Sequence, residues 1–588
     1  MGKNELNFSI NGELISYFIT HFLEIKNLPN HWKIIKEERK GNLINGIKTP
    51  YYYLRELLGN NPQIMDSIAI IQDQKITYRE LMMDIEGLSN YLHFIAQEKK
   101  GNNVSICSAS SIEGIVAFFA LNNLGLVNAR IFNGSQAKKM EKNINNFASE
   151  TILVDDNNID VLTTIIENTK VKNVIIISEC DDGKMERFRA KNPNINIVKY
   201  QDAIIKGHAQ EFFYHETVES SDLASILYTS GSSGEPKPIS ISNKVYTNML
   251  DIVCKTTSIK KCDNERVIGV VSHEYPYAAI NCTIMILMMG KTLIMSSHNN
   301  GNEIDFNELN SNLPNRIQAI PNFYKLLEIY NQNKGLNITS LSRLNSIISG
   351  GERYLKSEKI KLLTFFKKIG LSPLLIDGFG FGELGSATAL KFGLNDYFLL
   401  MNGIRAKAID PVTRKTLPLD VEGLLCFNAP TIADGYYNDI ESTSESFVFD
   451  ENNDKWFISD TYGSVHGKLK RLIKLGGRVR EYFITSDKQG NFIKVYAGTV
   501  EDVISCVENV ENCVVVQSDN GATPSPIAYI SLKDKSLAEK TIKDIEEMCK
   551  SLEIFARPTE FILEDYTKRT DAGKKDYTHY KTLRKINI

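Results

Sequence analysis

Short apolar runs separated by stretches of helical periodicity constrain the fold of this 588-residue chain more than any other feature. The clearest runs are Val104–Cys107, Thr151–Val154 and Val174–Ile177, and helical patterns flank each of them. Such runs predict buried strands, and strands that alternate with helices predict parallel sheets covered by helices. From Asp66 onward, the pattern predicts two short strands followed by a helix. We therefore expect an α/β protein, and a hydrophobic content of 42% is sufficient for large cores.

The stretch from Tyr228 to Pro238 is rich in glycine and hydroxyl groups and follows an apolar run, Leu223–Leu227. Glycines let the backbone approach a ligand closely, and successive N–H groups with neighbouring hydroxyls bind anions. The loop therefore predicts a polyphosphate site, although a polar surface loop can have the same composition, and its spacing is not that of a Walker A loop. The candidate phosphate-binding residues are Thr229, Ser230, Gly231, Ser232, Ser233, Gly234 and Lys237.

The letters YTSGSSGEPKP resemble the phosphate-binding signature [YF]TSG[ST][ST]GxPKG of the acyl-adenylate-forming superfamily, which contains acyl-CoA synthetases, peptide-synthetase adenylation domains and luciferase. Pro238 replaces the last glycine of the signature and removes one backbone N–H donor. The resemblance covers the chain from about Tyr51 to its end. It implies an α/β fold in which a large N-terminal domain of layered α/β subdomains is joined by a hinge to a small α+β C-terminal domain.

The resemblance divides the chain into three parts. Residues 1–50 form an N-terminal extension, residues 51–467 the large adenylating domain with the ATP and acid sites, and residues 468–588 the mobile C-terminal domain. Apolar residues in the extension recur at helical spacing, so it is predicted to dock as an amphipathic helix. These residues are Leu14, Phe18, Phe22 and Ile25.

Two segments resemble the adenine-contacting and magnesium-binding motifs of the superfamily. The first, LSRLNSIISGGERY, holds the glycine pair and Glu352, and the second, LLIDGFGFGELGSA, resembles [NQD]xYGxTE. Gly382 stands where threonine is usual, whereas Glu383 keeps the position of the acid. A carboxylate there suits Mg²⁺, which prefers oxygen ligands, although a tight glycine-rich turn is the alternative. The implied nucleotide-binding residues are Gly351, Glu352, Asp377, Gly378, Phe379, Gly380 and Gly382.

The segments that follow resemble the ribose and hinge motifs. VEGLLCFNAPTIADGYYND resembles GELxxxGxxxxxGYxN, and Asp460 takes the place of the TGD aspartate, which accepts both ribose hydroxyls; an ordinary turn aspartate is the alternative. GKLKRLIKLGGRV resembles GRxKDxIxxGGxxV. This alignment makes Lys468 the ribose-contacting residue and Lys470 the hinge. It assigns Gly476 and Gly477 to the thioester-forming step.

The acid site is implied by HEYP, which resembles the HNYP motif of stand-alone aryl-acid adenylating enzymes. Glu274 replaces the asparagine. A carboxylate accepts from N–H groups but cannot donate, so Glu274 predicts an acid that carries an amine; a Glu274 that faces solvent is the alternative. Tyr277 takes the position of the aspartate of α-amino-acid-activating domains, which argues against an ordinary α-amino acid. The implied acid-binding residues are His273, Glu274, Tyr275, Tyr277 and Gly350.

The C-terminal part carries the candidate catalytic lysine. TKRTDAGKKD resembles PxTxxGK, and Lys574 takes the place of the mobile lysine. A GK pair in a basic tail alone indicates solvated surface, but its position after all the other motifs favours catalysis. Before it, EYFITSDKQGNFIKVYAG alternates around Gln489-Gly490 and predicts an additional β-hairpin. A helix, Val500–Glu508, is predicted to follow.

Composition narrows the setting of this chemistry. A net charge of −3 gives no basis for binding nucleic acid or a membrane surface. Nine cysteines form no CxxC pair and no Cys/His metal spacing, which is typical of reduced cytosolic thiols. No apolar run reaches transmembrane length and no signal sequence opens the chain. We therefore expect a cytoplasmic protein with no membrane or nucleic-acid partner.

The resemblance implies a two-step ligase of the kind used in nonribosomal peptide synthesis and other secondary metabolism. An aryl or amino-bearing carboxylic acid and ATP give acyl-AMP and pyrophosphate, with Mg²⁺ on Glu383 and with Lys574 as a catalytic residue. The acyl group then passes to the phosphopantetheine thiol of a separate carrier protein, since no carrier domain follows Lys574. One alternative is an acyl-CoA synthetase that uses free CoA. Another is a non-catalytic binding protein, because Pro238, Gly382 and Lys468 depart from the pattern.

Overall fold

The computed structural model describes residues 49–229, 236–257, 263–270, 273–295, 311–335, 338–478, 482–486, 492–517, 525–569 and 575–583. The predicted N-terminal helix, the loop residues Ser230 to Gly234 and the predicted catalytic Lys574 lie outside these residues.

The strands of the described residues are β1 (Ile68–Ile71), β2 (Lys75–Thr77), β3 (Asn103–Cys107), β4 (Val127–Arg130), β5 (Thr151–Val154), β6 (Asn173–Ile176), β7 (Asn196–Lys199), β8 (Leu223–Thr229), β9 (Lys237–Ser242), β10 (Arg266–Val270), β11 (Thr292–Ile294), β12 (Arg316–Ala319), β13 (Ser346–Ser349), β14 (Leu374–Phe381), β15 (Ser386–Phe392), β16 (Phe398–Leu400), β17 (Arg405–Ile409), β18 (Gly423–Asn428), β19 (Gly435–Tyr436), β20 (Phe447–Phe449), β21 (Lys455–His466), β22 (Leu472–Arg478), β23 (Tyr482–Ser486), β24 (Phe492–Tyr496), β25 (Val510–Gln517), β26 (Pro526–Leu532) and β27 (Glu560–Glu564).

The α-helices of the same residues are α1 (Pro50–Asn60), α2 (Tyr78–Asn90), α3 (Ile112–Asn123), α4 (Ala137–Phe147), α5 (Asp156–Ile165), α6 (Asp182–Lys191), α7 (Tyr200–His208), α8 (Asn243–Thr257), α9 (Met285–Met288), α10 (Pro321–Lys334), α11 (Lys356–Lys368), α12 (Ile440–Ser446), α13 (Ala497–Ile504), α14 (Ala538–Cys549) and α15 (Tyr577–Leu583). Two π-helical segments are Tyr91–Ile95 and Tyr277–Ile284.

Local side-chain chemistry starts α2 where the sequence predicts a helix after two short strands. The Thr77 hydroxyl accepts the N–H of Glu80 at 3.2 Å, and the Glu80 carboxylate accepts the N–H of Thr77 at 2.7 Å. This reciprocal capping box satisfies two N–H groups that would otherwise lack partners. The predicted pair of strands and the helix after Asp66 are confirmed as β1, β2 and α2.

The smaller of the two large sheets holds the predicted apolar runs. Within the described residues its order is β19-β9-β8-β4-β3-β5-β6-β7, and β4, β3, β5, β6 and β7 pair in parallel. The parallel strands are apolar over most of their length because helices cover the sheet. Strands β8 and β9 are antiparallel and flank the phosphate loop, so the predicted strand before that loop is confirmed.

The larger sheet contains fourteen strands of the described chain in the order β17-β18-β21-β22-β16-β15-β14-β13-β12-β10-β11-β1-β2, with β20 paired to β21. Its centre is parallel from β14 through β13, β12, β10 and β11 to β1. A core that includes residues of α10 and α11 covers one face of this parallel block. The expected α/β class is therefore confirmed.

The C-terminal part has its own small sheets. Strands β23 and β24 form the predicted antiparallel hairpin, and its Gln489-Gly490 turn lies outside the described residues. Strands β25, β26 and β27 form a three-stranded sheet whose apolar core includes residues of α13 and α14. The predicted helix at Val500–Glu508 is α13, which starts and ends a few residues earlier, at Ala497 and Ile504.

The residues proposed as hinge and domain boundary lie inside the larger sheet. Strand β21 pairs with β22 from Thr461↔Arg478 to His466↔Leu472, and β22 also pairs with β16. Lys470 lies in the tight turn between these strands, where its N–H donates to the Gly467 carbonyl at 2.8 Å and its φ is 52°. A boundary at 467/468 would therefore cut a paired hairpin, and the hinge at Lys470 stays a prediction.

Candidate functional site

A cavity of about 270 Å³, cavity A, brings together predicted residues from distant parts of the chain. Thr229 ends β8 and Lys237 begins β9, so both stand at the edge of the phosphate loop. Glu383 and Asp460 reach the same cavity from the larger sheet. The other predicted residues that line it are Tyr275, Tyr277, Gly350, Gly351, Gly378, Phe379, Gly380 and Gly382.

Lys237, Tyr436 and Glu383 form a polar wall of cavity A. Lys237 Nζ donates to Ser442 Oγ at 2.7 Å and lies 5.2 Å from the centroid of the Tyr436 ring. The Tyr436 hydroxyl donates to Glu383 Oε1 at 2.7 Å. Burial raises the pKa of Glu383, and the hydrogen bond from Tyr436 opposes that rise. A buried carboxylate of this kind gains stability from a nearby cation, so Glu383 can hold a metal ion.

Arg478 is a cavity residue that the sequence reasoning missed. It lines cavity A with Asp460, and its charge lowers the pKa of Glu383, against the effect of burial. The register explains the position, since Arg478 at the end of β22 pairs with Thr461, the neighbour of Asp460. Lys468, the predicted ribose contact, is exposed in the turn at the other end of these strands and does not line cavity A.

Gly382 departs from the usual threonine for a steric reason. A Cβ atom at Gly382 would lie 2.9 Å from Cγ2 of Thr229 and 3.2 Å from Cγ of Pro276. Real Cβ atoms essentially never lie as close to another atom as this Cβ would lie to Thr229, so a larger residue at Gly382 requires Thr229 or Pro276 to move. Gly382 therefore fits a space that its neighbours have already filled.

A second cavity of about 310 Å³, cavity B, adjoins cavity A. Residues from the predicted adenine segments line it, together with Gly476 and Gly477 of β22. A Cβ at Gly477 would lie 2.5 Å from the Tyr496 ring, so only glycine allows this approach. Five residues line both cavities, so the two spaces are neighbours: Gly351, Gly378, Phe379, Gly380 and Arg478.

Asp377, which is predicted to bind the nucleotide, interacts with two lysines in cavity B. Lys359 Nζ donates to Asp377 Oδ2, and Lys391 Nζ lies 3.5 Å from the same oxygen. Burial, together with the charge of the neighbouring Lys359, lowers the pKa of Lys391 to about 8. The two lysines thereby hold the carboxylate of Asp377 in place.

The C-terminal tail reaches the loop that contains Glu352. Lys575 follows Lys574 in sequence, and its backbone N–H donates to Glu352 Oε1 at 2.9 Å. Lys575 Nζ donates to Glu501 Oε2 at 2.9 Å and to the Cys513 carbonyl at 2.8 Å. Burial opposes the charge on Lys575, but the surrounding carboxylates outweigh it and raise its pKa.

The residues of the HEYP segment lie in different environments. Tyr275 lines cavity A, whereas His273 and Glu274 are buried and are absent from its described lining. Glu274 is 3% exposed, and its Oε1 accepts the N–H of Asn133 at 3.4 Å, so it does not face solvent. His273 Nε2 lies 2.9 Å from Thr283 Oγ1, and burial lowers the pKa of His273 to about 3. A direct contact of Glu274 with an acid in cavity A stays a prediction.

The arrangement identifies the class of protein to which the chain belongs. Residues 60–437 match the family model described as AMP-binding enzyme, so this chain is a member of that family. It is similar to acetyl-coenzyme A synthetase 1 of Debaryomyces hansenii, with 24% identity over 85% of this chain and 75% of the relative. It is also similar to nonribosomal peptide synthetase 1 of Aspergillus fumigatus, with 24% identity over 53% of this chain and 5% of the relative.

Solved structures support the fold. The anthranilate CoA ligase AuaEII, solved with anthranoyl-AMP, superposes with a TM-score of 0.77 at 17% identity over 92% of this chain and 98% of that chain. ATP-bound MatB from Rhodopseudomonas palustris gives a TM-score of 0.74 at 18% identity over 92% and 100% of the two chains. The fold is that of AMP-forming adenylating ligases. Among the described residues, no helix has both the length and the apolar content needed to cross a membrane.

Proposed function

We propose that this chain joins a carboxylic acid to the α-phosphate of ATP and then transfers the acyl group to a thiol. The convergence on cavity A of Thr229, Lys237, Glu383 and Asp460 carries this proposal. These residues lie far apart in sequence, and their types match the separate needs of phosphate, metal and ribose binding. Arg478 adds a positive charge to the same cavity.

In the first step, an oxygen of the acid carboxylate forms a bond to the α-phosphorus, and the bond from that phosphorus to the bridging oxygen of pyrophosphate breaks. Two anions must approach each other, so positioned positive charge lowers the barrier. Lys237 and Arg478 supply such charge at cavity A, and we assign Lys574 the same role in this step. The contact of the neighbouring Lys575 with Glu352 supports this assignment.

The residues present fit a magnesium ion bound together with ATP. Glu383 offers a buried carboxylate, and Mg²⁺ is commonly held by one or two carboxylates plus substrate phosphates. When bound, the ion neutralises phosphate charge. The hydrogen bond from Tyr436 fixes the Glu383 carboxylate in the cavity, where it would hold the ion.

In the second step, the thiol sulfur forms a bond to the acyl carbon and AMP leaves. We propose that the C-terminal domain turns between the steps and that the turning point follows Arg478. This is supported by the pairing of β22 with the larger sheet, whereas β23 pairs with β24 alone among the described strands. The role of Gly476 and Gly477 in the thioester step is part of the same proposal, since both line cavity B.

The proposed acceptor is the phosphopantetheine arm of a separate carrier protein, with free CoA as the second candidate. Similarity to a peptide synthetase supports the carrier, and similarity to acetyl-CoA synthetase over 85% of the chain supports CoA. A panel of acids in an ATP–pyrophosphate exchange assay tests the first step. If none of the acids supports exchange, or if the wild type and Glu383→Gln exchange equally well, the proposed function is contradicted. Adding CoA or a holo-carrier protein to the acyl-AMP complex then identifies the acceptor.

A further inference from the structure

We propose that the acid carries a hydrogen-bond donor, namely an amine, hydroxyl or amide N–H, at its end remote from the carboxylate. Tyr277, Asn281 and Gln318 would receive this donor in the layer between the π-helix Tyr277–Ile284 and the larger sheet. The inference rests on the proposed function and specifies its substrate class.

The three residues share one structural layer. A Cβ at Gly269 in β10 would lie 2.3 Å from the carbonyl oxygen of Cys282, so the π-helix lies directly on this face of the sheet. Gln318 in β12 is in register with Gly269, and residues in register on neighbouring parallel strands point to the same face. The side chain of Gln318 therefore points towards the π-helix.

Tyr277 connects this layer to cavity A. A Cβ at Gly350 would lie 3.3 Å from the Tyr277 hydroxyl, and both residues line the cavity. The N–H of Gly350 donates to the carbonyl of Ala319 at 3.2 Å, which places Gly350 beside the end of β12 that holds Gln318. Asn281 lies about one turn after Tyr277 on the same helix.

Two of the three side chains present buried polar atoms without a partner. Asn281 Oδ1 and Gln318 Oε1 have no hydrogen-bond partner among the described residues, whereas the Tyr277 hydroxyl interacts with the thiol of Cys282. Asn281 and Gln318 are each 5% exposed. An unpaired buried acceptor is costly, and native proteins pair nearly all of them. The Tyr277 hydroxyl and the two amide oxygens of this layer are suited to accept N–H or O–H donors, and Tyr277 lines cavity A.

The buried surroundings of Glu274 direct amine recognition to this layer. Glu274 already accepts the N–H of Asn133. Burial lowers the pKa of Arg130, and the charge of Glu274 opposes that effect, so the carboxylate already interacts with groups of the protein. The acceptors beside Tyr277 have no such partner in the described chain.

Matched acids in ATP–pyrophosphate exchange test the inference. The probes are the three aminobenzoates against the three methylbenzoates, and 3-aminopropanoate against butanoate, because each pair differs mainly in the donor. We expect the wild-type protein to show kcat/KM at least about 100-fold higher for the amino member of its best pair, since sites built to hydrogen-bond reject analogues that lack the group. Hydroxybenzoates should also show a higher kcat/KM than the methylbenzoates, because their hydroxyl group is a donor.

Near-isosteric variants locate the acceptors. Tyr277→Phe, Gln318→Met and Asn281→Leu remove them, and we expect Gln318→Met and Asn281→Leu each to lower the amino-to-methyl ratio about 10-fold or more. Ser349→Ala is the matched control, because the Ser349 hydroxyl is also buried without a described partner but lies on the opposite face of the sheet. It should leave the ratio unchanged.

The outcomes separate the inference from the proposed function. Exchange with any acid, combined with a preference for the methyl members, overturns the inference alone. Variants that shift the melting temperature but not the ratio assign the three polar atoms to buried water and also overturn it. Absence of exchange with every acid contradicts the proposed function and the inference with it.

Discussion

Replacing Arg478 tests the most specific revision that the structure makes to the sequence alignment. Arg478 lines cavity A beside Asp460, and Arg478→Met keeps the aliphatic stem but removes the charge. A hydrogen bond to a charged group contributes about 1.5 to 3 kcal/mol. Because about 1.4 kcal/mol corresponds to a tenfold change, we expect the KM for ATP to rise about 10- to 150-fold.

The variant should also change the pH dependence of exchange. The positive charge of Arg478 lowers the pKa of Glu383, so its removal lets burial raise that pKa further. Since a metal ion requires the ionised carboxylate, the acid limb of the pH–rate profile should move to higher pH. We expect this shift in Arg478→Met and a smaller one in Arg478→Lys, which retains the charge.

Lys468→Met provides the matched control, because Lys468 is exposed in the turn at the far end of the same hairpin. ATP dependence is measured by exchange at saturating acid, and nucleotide affinity by calorimetry with AMP. If Lys468→Met weakens nucleotide binding and Arg478→Met does not, the original alignment is right and the reasoning from the β21–β22 register fails.

Three further predictions follow from the site. Gly382→Ala should lower the free energy of unfolding by about 1 to 3 kcal/mol, because its Cβ meets the Thr229 methyl, and Thr229→Ser should restore part of that loss in chemical denaturation. Lys574→Ala should slow adenylation about 100- to 1,000-fold while calorimetry shows unchanged ATP binding; near-normal exchange would contradict its catalytic role. Burial lowers the pKa of His273 to about 3 from about 6.5 unfolded, so stability is greatest above pH 6.5 and falls as the pH drops towards 3. In His273→Gln, the free energy of unfolding should depend less steeply on pH, by up to about 1.4 kcal/mol per pH unit. An unchanged slope would show that His273 is not responsible.

The sequence alone was sufficient for the fold class and for the family. Strands such as β5 and β6 are apolar over three consecutive residues, since both faces of a parallel sheet are covered, and that pattern is visible in the sequence. The phosphate loop, Glu383 and Asp460 are marked by local residue types at short spacing. Such motifs can be recognised without the tertiary structure because each depends only on a few consecutive residues.

Tertiary structure decided the features that depend on pairing between distant residues. Lys468 and Arg478 are ten positions apart, and only the register of β21 with β22 shows which end of the hairpin reaches Asp460. Likewise, the HEYP motif alone could not show that Glu274 is buried and accepts the N–H of Asn133. Register and packing are set by the whole sheet, because a local motif does not specify which neighbour its side chains will meet.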